Sequence, residues 1–303
     1  MPSIKIDNRR YKVEVLRRVD NGPEAIRILI PTFMPNELAQ RLTEVCVKSI
    51  KKYTLENHEI WVVDNNSPEE FNQWLYKDTT INVVFNRTEP VLPKKQKSGL
   101  FKFISKEKSG EQGKDVSYAN AIGLELGARC IDEDTPWLFT MHSDTLALRS
   151  GWLSYLKSKL SSKVRAVACW RDNIRVHALH IGGLLMDFTL FKPLGMNFMD
   201  NMHRRRTTAY PEYDVGDLIT IRLKEHGYDI AWCQNTYNNP ELIARIQDET
   251  LRSLHSDRCF DGDWNVSYIH MGRGFPKSTG SYNKEGKTYP RAWIEYAEEY
   301  VLS

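Results

Sequence analysis

The residues of this 303-residue chain best suited to chemistry fall in a few short stretches. Asp64-Asn65-Asn66-Ser67 and His142-Ser143-Asp144 each follow an apolar run. Tyr213-Asp214-Val215-Gly216-Asp217 opens a helical pattern, and His270 lies in Tyr268-Ile269-His270-Met271-Gly272-Arg273-Gly274. A carboxylate at a strand end, as at Asp64, can accept hydrogen bonds from the edge of a nucleotide base or can cap the helix that follows; position alone does not separate the two. Asn120 poses a similar pair of readings, a hydrogen bond to ribose or diphosphate against an N-cap. Asp214 and Asp217 share a helix start, where the dipole keeps a carboxylate ionised and where capping is the ordinary role. A lone His such as His270 is ordinarily structural, while Gly272 and Gly274 would let a loop close over phosphates with Arg273 offsetting their charge. Trp170-Arg171 could stack on or bind a sugar, and core packing suits Trp170 equally well.

The elements that must position these residues are legible from hydrophobic pattern. Arg27 to Ile30 is an apolar run stopped by Pro31, as in a buried parallel strand, and Leu38, Leu42, Val45, Cys46 and Ile50 then recur at helical spacing after Asn36, a good N-cap. Glu59 to Val63 predicts a second strand, Pro68-Glu69-Glu70 a second helix start, and Ile81 to Phe85 a third strand. The Lys-, Gly- and Ser-rich stretch from Pro90 to Lys114 reads as a solvated loop before a helix that begins near Ser117. Trp137 to Met141 is a fourth strand, followed by a helix from Gly151, a strand near Ala166 to Trp170 and a helix from about Val215 to Glu225 ending at Gly227. Such β-α alternation predicts an α/β fold with an open, mostly parallel sheet, helices on both faces, and ligands at the carboxyl ends of the strands. Residues 1 to 23 read as a short strand or arm before it; regularity falls after Cys233.

Composition narrows the function classes. Lys and Arg number 42 against 39 Asp and Glu, a formal charge of +3 that is too small for the counterion release that drives nucleic-acid binding. Five dispersed cysteines (Cys46, Cys130, Cys169, Cys233 and Cys259) lack any C-x-x-C pair, so neither a disulfide framework nor a zinc knuckle is expected. No signal-peptide core and no transmembrane-length apolar run occurs. The expectation is a cytoplasmic protein, with peripheral contact at the inner membrane surface left open.

Several ordered segments together resemble the inverting family-2 glycosyltransferases of GT-A fold. Ile28-Leu29-Ile30-Pro31-Thr32-Phe33 resembles the family's first strand and Pro-Thr-aromatic turn, and Ile60 to Ser67 its second strand with a polar end. Tyr118-Ala119-Asn120-Ala121 resembles the Asn-bearing helix, Met141-His142-Ser143-Asp144 the Asp-x-Asp position, and Tyr213 to Leu218 followed by Arg222 the acidic helix start. The resemblance covers about residues 27 to 230, plus His270.

It implies a Rossmann-like nucleotide-diphospho-sugar transferase fold, with residues 1–26 as an N-terminal arm and 27–232 as the transferase domain. That domain divides into a donor half to about 150 and an acceptor half from 151; residues 233–303 form an extension that completes the active site. Pro31, Thr32, Phe33, Asp64, Asn66, Asn120, His142, Ser143 and Arg273 become donor contacts, and Asp144 with His270 the ligands of a divalent cation, Mn2+ or Mg2+. His142 stands where an Asp is usual; it is expected to touch the donor or a ligand in preference to ligating, and imidazole would favour Mn2+ if it did ligate. Trp170, Arg171, Gly182 and Gly183 line the acceptor pocket. Inversion needs one carboxylate to take the acceptor proton. Its distance from Gly227 favours Asp217, and its place after Tyr213 favours Asp214. The partners implied are a UDP-, GDP- or dTDP-sugar and a glycan-type acceptor.

A sugar-nucleotidyltransferase would want a Gly-rich, basic loop after the first strand, and Pro31-Thr32-Phe33-Met34-Pro35 has neither. No G-x-G-x-x-G marks a dinucleotide site. The altered metal and Glu-Asp motifs keep a non-catalytic nucleotide-sugar or carbohydrate-binding protein as the alternative.

Overall fold

A computed structural model of the chain describes residues 1–90, 110–173, 176–199, 213–272 and 289–303, with side chains from 117 onward in the second span. Its centre is a nine-stranded sheet. The strands are β1 (Ser3–Ile6), β2 (Arg9–Leu16), β3 (Ile26–Thr32), β4 (His58–Asn65), β5 (Asn82–Asn86), β6 (Trp137–Met141), β8 (Val164–Ala168), β9 (Gly183–Asp187) and β10 (Asp229–Trp232), in the spatial order β1-β2-β5-β4-β3-β6-β9-β8-β10. Only β2 and β9 run against the rest, so the sheet is mostly parallel as expected. A second sheet of three strands, β11 (Asp257–Phe260), β12 (Val266–His270) and β7 (Thr145–Ala147), is antiparallel throughout.

The apolar runs serve two faces at once. Leu29, Trp61 and Val63 pack toward helices α3 (Gly110–Cys130) and α5 (Asp217–Glu225). The alternating Ile28, Ile30, Ile60 and Val62 pack toward α1 (Glu37–Tyr53), α2 (Glu69–Lys77) and α4 (Trp152–Ser158). Asn36 caps α1 as its position predicts, its side chain accepting the Ala39 N–H at 2.9 Å. The strand predicted to stop at Pro31 runs on to Thr32. Pairing with β6 ends at Leu29 while pairing with β4 continues, so one flank is open by the residue that has no N–H to give.

Three elements differ from the pattern reading. The helix expected near Ser117 starts at Gly110, which puts Asn120 well inside α3 and away from any N-cap. The first residues form a β1–β2 hairpin whose second strand joins the main sheet at β5. Beyond Cys233, α6 (Glu249–Ser253) and the β11–β12 pair lead to α7 (Tyr289–Tyr296), which runs into a π-helical turn at Ala297–Val301 and packs Trp293, Ile294 and Ala297 near Leu42 and Val45 of α1. Strands of three to five residues carry too few alternations to stand out of the sequence. Among the described residues no helix is long and apolar enough to cross a membrane.

Candidate active site

The carboxyl ends of β3, β4, β6, β8 and β10 share one edge of the sheet, and the residues singled out from the sequence gather there. The chain leaves β6 through His142-Ser143-Asp144 and enters β7 at once. Because β7 pairs with β12, Thr145 stands opposite His270, and the Met271 N–H donates to the Asp144 carbonyl at 3.0 Å. This ladder, between segments about 125 residues apart in sequence, brings His270 beside Asp144.

His142 Nδ1 lies 3.4 Å from His270 Nε2, which lies 3.4 Å from Asp144 Oδ1, and the three donor atoms fall within 4.8 Å of one another. Such steps are what one ion with ligand bonds of roughly 2.1 Å leaves between its ligands at near-tetrahedral angles. Two imidazoles and a carboxylate suit a divalent ion of intermediate softness, Mn2+ before Mg2+. His142 therefore has its Nδ1 among the donors, where the sequence reading had set ligation behind other contacts. On its far side, Asn120 Nδ2 lies 3.2 Å from His142 Nε2. With the amide donating, the ring proton sits on Nδ1; turned to offer Oδ1, the amide accepts Nε2–H and leaves the Nδ1 lone pair for an ion.

β11 supplies a residue that sequence reasoning missed. Asp257 pairs with His270 in the ladder, and its Oδ2 is 3.5 Å from His270 Nδ1. Burial opposes a charge on His270, but Asp144 and then Asp257 outweigh it and push the imidazole up to about 9. Burial and the His270 charge push His142 down to about 4. The pair thus carries one positive charge, on His270, with His142 neutral beside it.

His180, also unforeseen, completes a wall of rings: its centroid is 5.6 Å from that of His142 and 5.7 Å from that of His270. Trp170 is 1% exposed and stacks on His270 at 5.2 Å, so the core-packing reading describes it. Gly182 runs along this wall. A Cβ there would come within 3.0 Å of His142 Nδ1 and 3.1 Å of His180 Nδ1, which only glycine avoids. Gly183 begins β9 against Cys169 and Tyr268.

The two acidic candidates on α5 separate. Asp217 is 3% exposed and its Oδ2 accepts the Asp214 N–H at 2.7 Å, the geometry of a residue that holds the helix start. Asp214 is only half-buried, and its charge is felt at His142. Between them Gly216 takes φ +76° and abuts Ile181, where a Cβ would lie 2.3 Å from Cγ2.

At the other end of the edge, Thr32 pairs with Asp64 across β3 and β4. Asp64 is fully buried rather than at the solvent boundary; it accepts from Ser67 N at 3.3 Å and Asn72 Nδ2 at 3.0 Å, and burial raises its carboxyl above the usual range. Ser67 Oγ in turn accepts the Met34 N–H at 2.8 Å, tying the loops after β3 and β4 together. Phe33 and Asn66 are exposed on these loops; Pro31 is buried. Ser143 is half-buried between the two donor residues. Arg171 follows Trp170 with its guanidinium 3.9 Å over the ring of Trp232, at the end of β10. Arg273 lies outside the described residues, as does most of the 90–114 stretch.

An α/β protein with a mostly parallel sheet and a His-Asp-His donor set at its carboxyl edge is thus defined. No protein-family model matches the chain, and no curated protein matches it. Among solved structures it is similar to the mannosyltransferase PcManGT from Pyrobaculum calidifontis in complex with GDP-Man and Mn2+, at 14% identity and TM-score 0.42 over 93% of this chain and 74% of that one. It is also similar to the galactosyltransferase LgtC, at 11% identity and TM-score 0.48 over 91% and 96% of the two chains. The bifunctional glycosyltransferase WbbM gives 11% identity and TM-score 0.47 over 91% of this chain and 50% of its own.

Proposed function

We propose that this chain is a metal-assisted glycosyltransferase of GT-A type, moving a sugar with inversion from a UDP-, GDP- or dTDP-linked donor to a hydroxyl of a glycan or glycoconjugate. The observation that carries the reading is the convergence of His142, Asp144 and His270 on the carboxyl edge of parallel strands, with the Asp214 carboxylate in electrostatic reach of His142. A divalent cation held by these three residues supplies the positive charge that offsets the departing diphosphate.

The chain's own residues divide the remaining work. Thr32, Phe33 and Asn66 border the loops where the nucleotide base lies, and Asp64 holds those loops from within. Asn120 sets the tautomer of His142. Ser143 contacts the donor phosphates, and the charge of Arg273 offsets theirs on departure. Asp214 takes the acceptor proton, and Asp217 fixes the backbone that aims it. Trp170 backs the ion site, Gly182 and Gly183 leave room beside it, and residues 233–303 complete it from outside the donor half (27–150) and acceptor half (151–232).

The deciding experiment is incubation with a panel of nucleotide sugars and Mn2+, with release of nucleoside diphosphate as readout and the product anomer assigned by NMR. Release with an inverted anomer supports the reading. Tight nucleotide binding without release from any donor, alone or with mixed glycan acceptors, identifies a non-catalytic binding protein instead.

A further inference from the structure

Several arginines of this fold have a carboxylate or carbonyl partner. Arg27 and Arg129 pair with Glu59 and Glu125; Arg165 pairs with Asp187; Arg258 donates to the carbonyls of Leu251, Arg252, Leu254 and Ser256. Arg171 is different. It is half-buried and its guanidinium has no carboxylate partner among the described residues; its Nε, like those of Arg27, Arg165 and Arg222, is buried without a hydrogen-bond acceptor. Its position is nevertheless well fixed. Its N–H donates to Asn238 Oδ1 at 3.1 Å and its carbonyl accepts Asn238 Nδ2 at 2.9 Å; Asn238 is held in turn by Asn235 and Asn173. The guanidinium carbon lies 3.9 Å over the centre of the Trp232 ring, which is still 39% exposed. A fork of donors held against an indole, with an unfilled N–H, is built to take an oxyanion in two-point contact while a sugar ring lies along the aromatic surface.

Strand order says which substrate brings that oxyanion. The nucleotide loops follow β3 and β4, and the ion site follows β6. Arg171 follows β8 and Trp232 ends β10, on the opposite side of β6. β8 lies two strands from β6, or about 10 Å at ordinary strand spacing. The diphosphate is therefore spent at the ion site, and the group reaching Arg171 belongs to the other substrate. Building on the transferase reading above, we infer that the acceptor is an acidic glycan, carrying a phosphate or carboxylate that docks on Arg171 over Trp232.

Binding to the full-length protein, loaded with Mn2+, tests this without requiring turnover. The probes are glucose, glucuronate and glucose 6-phosphate, followed by calorimetry and tryptophan fluorescence; UDP and GDP serve as donor-site probes. The acidic sugars are expected to bind at least about tenfold more tightly than glucose, and Arg171→Gln to remove that preference, a loss of about 10–100-fold for one charged hydrogen-bonded contact. Nucleoside diphosphate affinity should stay within about twofold, which also certifies the fold of the variant. Trp232→Leu, which leaves the Arg171 backbone clamp untouched, should weaken acidic sugars in the same direction and abolish the fluorescence change they cause. Equal binding of neutral and acidic sugars, no binding of the acidic ones, or an Arg171→Gln defect confined to UDP or GDP would each overturn the proposal. The last outcome would assign Arg171 to the donor. Acidic-sugar binding on Arg171 in a protein that transfers nothing would leave this inference standing and remove the reaction proposed above.

Discussion

Asp257 and His270 stand opposite each other in the β11–β12 ladder, the carboxylate Oδ2 3.5 Å from the imidazole Nδ1. With Asp144 beside the other nitrogen, the ring lies between two carboxylates; Nδ1 makes no hydrogen bond at this distance, and a small approach of Asp257 would give the arrangement by which a carboxylate fixes the tautomer and raises the basicity of a metal-binding histidine. Asp257→Asn keeps the shape and loses the charge. Mn2+ affinity, by calorimetry, should fall about 10–100-fold while the melting temperature without metal stays close to that of the parent. Unchanged affinity would make Asp257 a bystander.

Metal removal gives the second expectation. Mn2+ at a hundredfold excess over its Kd should stabilise the native state by about 2.7 kcal/mol, read as a rise in melting temperature that EDTA reverses. Asp144→Ala and His270→Ala should each erase the rise. A rise of parental size in either variant would place the ion elsewhere.

The α5 start makes a pair of contrasting predictions. Asp214→Asn should lower single-turnover transfer about 10²–10⁴-fold with melting temperature and donor binding retained. Asp217→Ala removes the acceptor of the Asp214 N–H and should cost about 1 kcal/mol of stability, with a smaller loss of rate. Reversed roles, with Asp217→Asn the slow variant, would return the base to Asp217.

Asp64 should behave as a strut. Its removal in Asp64→Ala orphans the Ser67 N–H and leaves Asn72 Nδ2 only the Ser67 carbonyl, at about 1–3 kcal/mol. Chemical denaturation of the variant measures the loss directly; a parental midpoint coupled to lost donor binding would instead make Asp64 a direct contact to the base.

Glu125 carries a pH dependence. Burial raises its carboxyl above the ordinary range, although Phe198 N donates to it at 2.7 Å and Arg129 pairs with it. A raised acid binds its proton more tightly in the folded state, so its contribution is full below the unfolded pKa of roughly 4.3 and is lost as pH rises through the folded value. Glu125→Gln has no such loss. The stability of the variant relative to the parent should therefore climb from pH 4 toward neutrality, and a constant difference would show that Glu125 titrates alike in both states.

What could be read from the sequence follows from the range of each signal. Trp137–Met141 is a strand with the expected bounds, and Asn36 caps α1 as expected, because buried runs and caps are local patterns. The resemblance already paired Asp144 with His270 at one ion. The ladder that joins them was not legible, since it depends on a three-residue strand, β7, finding β12 far along the chain, and so short a strand has no periodicity of its own. His180 and Asp257 stood in no motif; only the ladder and the ring wall give them meaning. Asn120 looked like a cap because the Gly- and Lys-bearing residues before it read as loop, whereas α3 starts ten residues earlier.

The β7–β12 ladder also orders events in time. A ribosome delivers the nine strands of the main sheet by Trp232, yet the third donor residue arrives only with His270 in β12, after β11. Until then His142 and Asp144 wait beside an unpaired β7, and a chain that stops short of β12 lacks the third member of the cluster. Assembly of the His142–Asp144–His270 cluster is thus withheld until β12 has been made.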